Sequence, residues 1–234
     1  MTNESVKEFL RTGRGDGNGL FRIVITLLFL VILPMAALTF QHLHAHPDIG
    51  GFDPVQMGRL ESRMWRSYYE GRWLQLGWET MEVACGQYGF SWWDGTRLAC
   101  HAARSAAVFR NKVDDPRCLP ELVDYYVIVE RSTPVQFDPV EAARLELEWW
   151  RERRLNLPPE IYSKTIAQLL ALLYRITPGE AASSALMRAE AMEYRDNRRD
   201  GRMSDGDWLE LERRLTAAYG DLRGRLERGG GGLR

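Results

Sequence analysis

Glu61 and Glu146 stand in two closely matching stretches, and each is ringed at helical spacing by apolar side chains. Residues three and four apart share a helix face. Around Glu61 these are Met57, Met64 and Trp65, and around Glu146 they are Ala142, Ala143, Trp149 and Trp150. An unpaired carboxylate on such a face is costly. Two arginines sit in comparable settings. Arg104 lies among Cys100, His101, Ala107 and Val108, and Arg188 among Ser184, Ala185, Ala191 and Met192. A guanidinium meets a carboxylate with two parallel hydrogen bonds. The expectation is therefore two buried ion pairs, Glu61–Arg104 and Glu146–Arg188, that fix helix register.

Two other chemistries fit the same residues. A Glu on the first helix of each of two hairpins is similar in arrangement to ferritin-like di-iron proteins, which implies a carboxylate-bridged divalent metal. The second helices supply His101-x-x-Arg104 and Glu190-x-x-Glu193, and no Glu-x-x-His occurs in the chain. The ligands of such a site would be Glu61, Glu146, His101 and Glu190. The third option is a small-molecule pocket between the aromatic faces. His42, His44 and His46 form a separate candidate, since neutral imidazole binds zinc, copper or nickel. The plainer reading of that triad is a polar segment ended by Pro47. No Gly-x-Ser-x-Gly and no His-Glu-x-x-His is present, so no catalytic residue and no cofactor is expected. The basic runs 151–154 and 195–202 are interleaved with acids and read as solvated helix ends.

Matched stretches imply matched elements. Residues 52–66 and 137–151 lie 85 positions apart and share Phe-Asp-Pro-Val, Arg-Leu-Glu and Trp-Arg at equivalent places. We expect two degenerate helical repeats, about 52–132 and 137–227, forming one pseudo-twofold bundle. Asp53-Pro54 and Asp138-Pro139 each combine an N-cap with a first-turn proline. The first opens a helix predicted to run to about Gln87. The second opens a helix stopped by Pro158-Pro159. Further helices are expected at about 91–112, 120–131, 160–175, 178–197 and 206–226, although Tyr125 to Val129 carries strand propensity. The class is all-α.

Ahead of this domain, Ile23 to Gln41 contains no charged residue. Residues 20–41 are read as a single transmembrane helix, because 21 residues from Leu20 to Phe40 rise about 31 Å. Small residues at A-x-A spacing are poorly placed for cleavage, which favours an uncleaved signal anchor over a signal peptide. Lys7, Arg11, Arg14 and Arg22 precede the apolar run and Arg59 is the first basic residue after it. That bias puts residues 1–19, a flexible lead-in, in the cytoplasm, and the helical domain outside the cell membrane. Residues 42–51 form an exit linker and 228–234 a disordered tail. The Gly-rich run 13–19 lacks the preceding strand of a phosphate loop.

Composition removes further classes. Among 234 residues, 31 Lys+Arg balance 32 Asp+Glu, which argues against a nucleic-acid partner. Cys85, Cys100 and Cys118 allow one disulfide or three small buried thiols. The leading functional expectation is a non-enzymatic interaction or assembly module that meets lipid through residues 20–41 and docks another membrane or extracytoplasmic protein. The alternative is a metal- or small-molecule-binding bundle, with redox chemistry as one option.

Overall fold

A computed structural model describes residues 17–112, 115–198 and 203–229. The lead-in at 1–16 and the tail at 230–234 lie outside the described residues. Helix α1, Gly17–His44, forms one compact unit and residues from Ala45 onward form another. Within α1, Thr26–His44 is long and apolar enough to cross a membrane, with a mean hydropathy of 1.8 over its most apolar window. Its apolar side chains from Leu27 to Leu33 are exposed, as they would be if facing lipid. The helix begins at Gly17, ahead of the expected Leu20, and carries on through His42 and His44 into the segment expected to be a linker. Pro34 sits inside it without ending it.

The second unit is all-helical among the described residues. Its helices are α2 (Pro54–Tyr69), α3 (Trp73–Met81), α4 (Trp92–Asn111), α5 (Cys118–Ser132), α6 (Pro139–Arg154), α7 (Pro159–Tyr174), α8 (Pro178–Asp196) and α9 (Asp205–Arg228). A turn of π-helix, Glu82–Gln87, extends α3. The caps are local and legible. Asp53 Oδ1 accepts from the backbone of Val55 at 2.8 Å and Gln56 at 3.0 Å, and Asp138 accepts from Val140 at 2.9 Å. Ser91 caps α4, and capping boxes open α8 (Thr177, Glu180) and α9 (Ser204, Asp207).

The single long helix expected from about 52 to Gln87 is broken. Gly71 adopts a φ of +71° between α2 and α3, a left-handed turn that glycine makes at little steric cost. The equivalent reversal after α6 uses Asn156 at a φ of 55°, followed by Pro158 and Pro159. Tyr125 to Val129 lies wholly inside helix α5, where burial of Tyr126, Ile128 and Val129 overrides strand propensity.

Each helix packs on its neighbours in sequence, and α9 returns to pack on α2. The short connections make the order up-and-down. The result, among the described residues, is a closed ring of eight helices. Ring closure depends on Gly58 in α2: a Cβ there would come within 2.6 Å of the Thr216 backbone nitrogen in α9. Small buried residues on α8, Ala181, Ala185 and Ala189, share a core cluster with Tyr162, Ile166 and Leu169 of α7. One end of the ring is closed by the strap 45–53. Ile49, Phe52 and Phe90 are buried there, Asp48 N donates to Tyr88 O at 2.9 Å, and Arg223 donates to Gly50 O.

Candidate functional site: a polar network inside an aromatic cavity

The ring encloses a cavity of about 810 Å³ to which α2 through α9 all contribute. Its charged heart is Glu61 on α2. Arg188, on α8, donates to Glu61 through Nη2 at 2.6 Å and Nε at 3.2 Å, and Tyr219, on α9, donates at 2.5 Å. The guanidinium also lies 5.5 Å from the Trp149 ring centre, where the π face favours a cation. Burial works against the Arg188 cation, but Glu61, Tyr219 and Glu146 outweigh it and hold its pKa above the ordinary value. Arg188 Nη1 meets no acceptor among the described residues.

Glu146 on α6 is satisfied differently. Three neutral groups donate to it: Tyr126 at 3.1 Å, Trp149 Nε1 at 3.1 Å and Trp150 Nε1 at 2.8 Å. Burial raises its pKa above the ordinary 4.5, and Arg188 and those three donors offset this only in part. Tyr125, buried beside it, is pushed up to about 12 by burial and by the Glu146 charge.

The expected ion pairing is therefore corrected. Arg188 crosses the ring to Glu61, because ring closure brings α8, α9 and α2 together. Arg104 does not reach Glu61. It stays largely exposed on α4, with its nearest carboxylate, Glu121, at 3.9 Å. Sequence spacing could put Arg104 on a helix face but could not say which way that face turns.

The metal candidates are not brought together. Among the described residues, no group of three His, Cys, Asp or Glu side chains converges on a point. Glu61 is occupied by an arginine, His101 Nδ1 pairs with Glu121 at 2.7 Å on the α4–α5 flank, and Glu190 is exposed. His44 Nδ1 bonds within its own helix to Phe40 O at 2.8 Å, and His46 lies beyond the helix end. The three cysteines are free thiols, exposed at Cys100 and buried at Cys118.

At the end opposite the strap, the cavity is rimmed by arginines. Arg153 grips Asp196 through Nε at 2.8 Å and Nη2 at 3.1 Å, and Nη2 also reaches the Tyr69 hydroxyl at 3.1 Å. Arg195 Nη1 shares the same carboxylate at 3.2 Å, and its guanidinium lies 3.1 Å from the Tyr69 ring centre. The Arg195 residue is only 9% exposed, and its Nε is buried with no hydrogen-bond partner. The expectation of solvated helix ends fails for these two arginines. Their burial arises because α6 and α8 finish at the same end of the ring, where Arg153 reaches across to Asp196 and Arg195 stacks on Tyr69. Tyr126 and Tyr219 were also missed as site residues. Nothing distinguishes them from core tyrosines in sequence beyond a place on an apolar helix face.

The interior is thus an aromatic and aliphatic chamber whose carboxylates are already hydrogen-bonded and whose spare polar capacity is cationic. Comparison with protein families, with curated proteins and with solved structures finds no match.

Proposed function

We propose that this chain is a membrane-tethered binding protein whose helical ring holds one small, largely apolar molecule. The observation that carries this reading is the 810 Å³ cavity walled by all eight helices. Small-molecule sites typically measure about 300–1,000 Å³ and combine apolar walls with a few fixed polar groups. Leu98, Leu169 and Leu222 give apolar wall, Trp65, Trp149 and Trp150 give aromatic wall, and the Glu61–Arg188–Tyr219 network gives the fixed polar feature. The binding alternative raised from the sequence is kept, without its metal.

The tether is Thr26–His44. The preceding basic residues favour a cytoplasmic N-terminus and an extracytoplasmic ring as a single-pass arrangement. Two four-helix halves also suit the repeat: α2 and α6 begin at equivalent Asp-Pro caps, and each supplies the glutamate that accepts from a tyrosine of the helix before it in the ring.

Native mass spectrometry of the detergent-solubilised full chain with a panel of apolar molecules tests the reading. One bound molecule per chain is expected. Gly77 lines the cavity and a Cβ there would meet nothing within 4 Å, so Gly77→Trp should fill the space and abolish binding. Undiminished binding in Gly77→Trp would place the ligand elsewhere.

A second reading, docking of another membrane or extracytoplasmic protein, is favoured by one feature. Leu74 is 94% exposed, and Trp78 beside it is 58% exposed and packs edge-on against exposed Trp92 at 5.9 Å. Isolated exposed apolar residues are ordinary, but a contiguous set marks an interaction surface. Loss of a co-purifying partner in Leu74→Ser/Trp78→Ser, with ligand binding intact, would assign that face to docking.

A further inference from the structure

Resting on the cavity reading, the geometry points to the class of ligand: we propose that the ring binds a single-chain anionic amphiphile, its acidic head held by Arg195 and Arg153 at the rim and its apolar chain lying inside. Four arginines line the cavity, Arg153, Arg154, Arg188 and Arg195, against three acids, Glu61, Glu146 and Asp196. The acids are spent on internal bonds. Glu61 takes Arg188 and Tyr219, Glu146 takes a tyrosine and two indoles, and Asp196 is shared between Arg153 and Arg195. Two arginines dividing one aspartate leave a cationic rim.

Helix dipoles do not neutralise that rim. Neighbouring helices run in opposite directions, so positive and negative helix ends alternate around it. Arg195 is the group that asks most for a ligand. More than nine-tenths of the residue is buried, it lines the cavity, and its Nε has no partner. That nitrogen is itself out of a ligand's reach, and its empty donor leaves the guanidinium charge only partly answered by Asp196 and the Tyr69 ring. A carboxylate or phosphate oxygen is the fitting acceptor, since guanidinium recognises both with paired hydrogen bonds. Beyond the rim the walls turn apolar and end at Ile49, Tyr88 and Phe90 under the strap. A neutral polar ligand would leave the rim unanswered, and a short anion would leave the chamber unfilled. An amphiphile answers both.

The test uses the full chain in detergent and three probes with the same tail: hexadecanoate, hexadecyl phosphate and hexadecanol, each competed by native mass spectrometry. At least one of the two anions should bind at least about tenfold more tightly than the alcohol, as expected for charge-assisted hydrogen bonds. Which anion wins tells whether the head is a carboxylate or a phosphate. Arg195→Gln should bring anion and alcohol close to parity while the alcohol still binds, and its thermal unfolding profile reports whether the fold is kept. Gly77→Trp, which leaves every rim arginine in place, should abolish binding of all three. Equal binding of anion and alcohol by the unmodified chain would overturn the head-group assignment and leave the cavity reading standing. Undiminished discrimination in Arg195→Gln would also overturn it. Failure of all three probes to bind would overturn both.

Discussion

Inside the ring Glu61 accepts from Arg188 at 2.6 Å and from the Tyr219 hydroxyl at 2.5 Å, a buried ion pair with one neutral donor. Removing one member of a buried pair strands the other. Arg188→Met alone should therefore cost about 3–5 kcal/mol, whereas Arg188→Met with Glu61→Gln should lie much nearer the wild type. Denaturant unfolding of the four proteins in the cycle measures this, and additive losses would show that the pair is not coupled. Glu146 makes a different prediction. Burial raises its folded-state pKa above the unfolded 4.5, so folding takes up a proton in the window just above that value. The stability that the protonated acid contributes is complete below 4.5 and is lost as pH rises through the folded pKa. Gln cannot titrate. The stability of Glu146→Gln relative to wild type should therefore improve as pH rises from 4.5 through the raised folded-state pKa. A difference independent of pH across that range would contradict the raised pKa. That Glu61, Glu146 and Arg188 matter was legible from their aromatic and small-residue neighbours. Their partners were not, because hydrogen bonds to Tyr126 and Tyr219 and the crossing of Arg188 to α2 depend on helix rotation and ring closure.

Among the elements, starts were easier to read than stops. The Asp-Pro caps of α2 and α6, and Ser91, Thr177 and Ser204 ahead of α4, α8 and α9, use side chains that bond within their own first turn. The end of α2 was hidden because Gly71 sits in a stretch whose apolar spacing carries on into α3. A lone glycine inside a helical pattern lowers the expectation of helix without ending it. The arginines at the end of α6 and α8 were misread for a related reason: interleaved charge looks solvated until a neighbouring helix end covers it. Packing between elements offers a sharper test at Gly58, whose added Cβ would fall 2.8 Å from Thr216 Cα and 2.6 Å from its nitrogen. Gly58→Ala should push α9 off α2 and destabilise by about 1–3 kcal/mol, the usual cost of overpacking. Gly220, where a Cβ meets nothing within 4 Å, provides the control: Gly220→Ala should be neutral or slightly stabilising. Equal effects at the two glycines would show that α2 and α9 do not approach this closely.

At the scale of the whole molecule, eight helices in sequence order leave a centre that their own side chains do not fill. A compact bundle of two mutually covering halves would have no such space, and apolar periodicity alone does not separate the two arrangements. Class follows from local signals, but the count of eight helices in the domain does not, because the break at Gly71 lies inside a continuous helical pattern, and the cavity is a property of that number and of the closure of α9 on α2. Its contents follow from which faces turn inward, bringing tryptophan and tyrosine to the walls and arginine to one rim. The measurement that bears most directly on this account is an experimental structure of the full chain saturated with hexadecanoate or hexadecyl phosphate, whichever binds. The account predicts one elongated molecule inside the ring, its chain between Trp149 and Gly77 and its acidic head within hydrogen-bonding distance of Arg195. A ring interior filled by its own side chains, with the amphiphile lying outside on Leu74, Trp78 and Trp92, would contradict it.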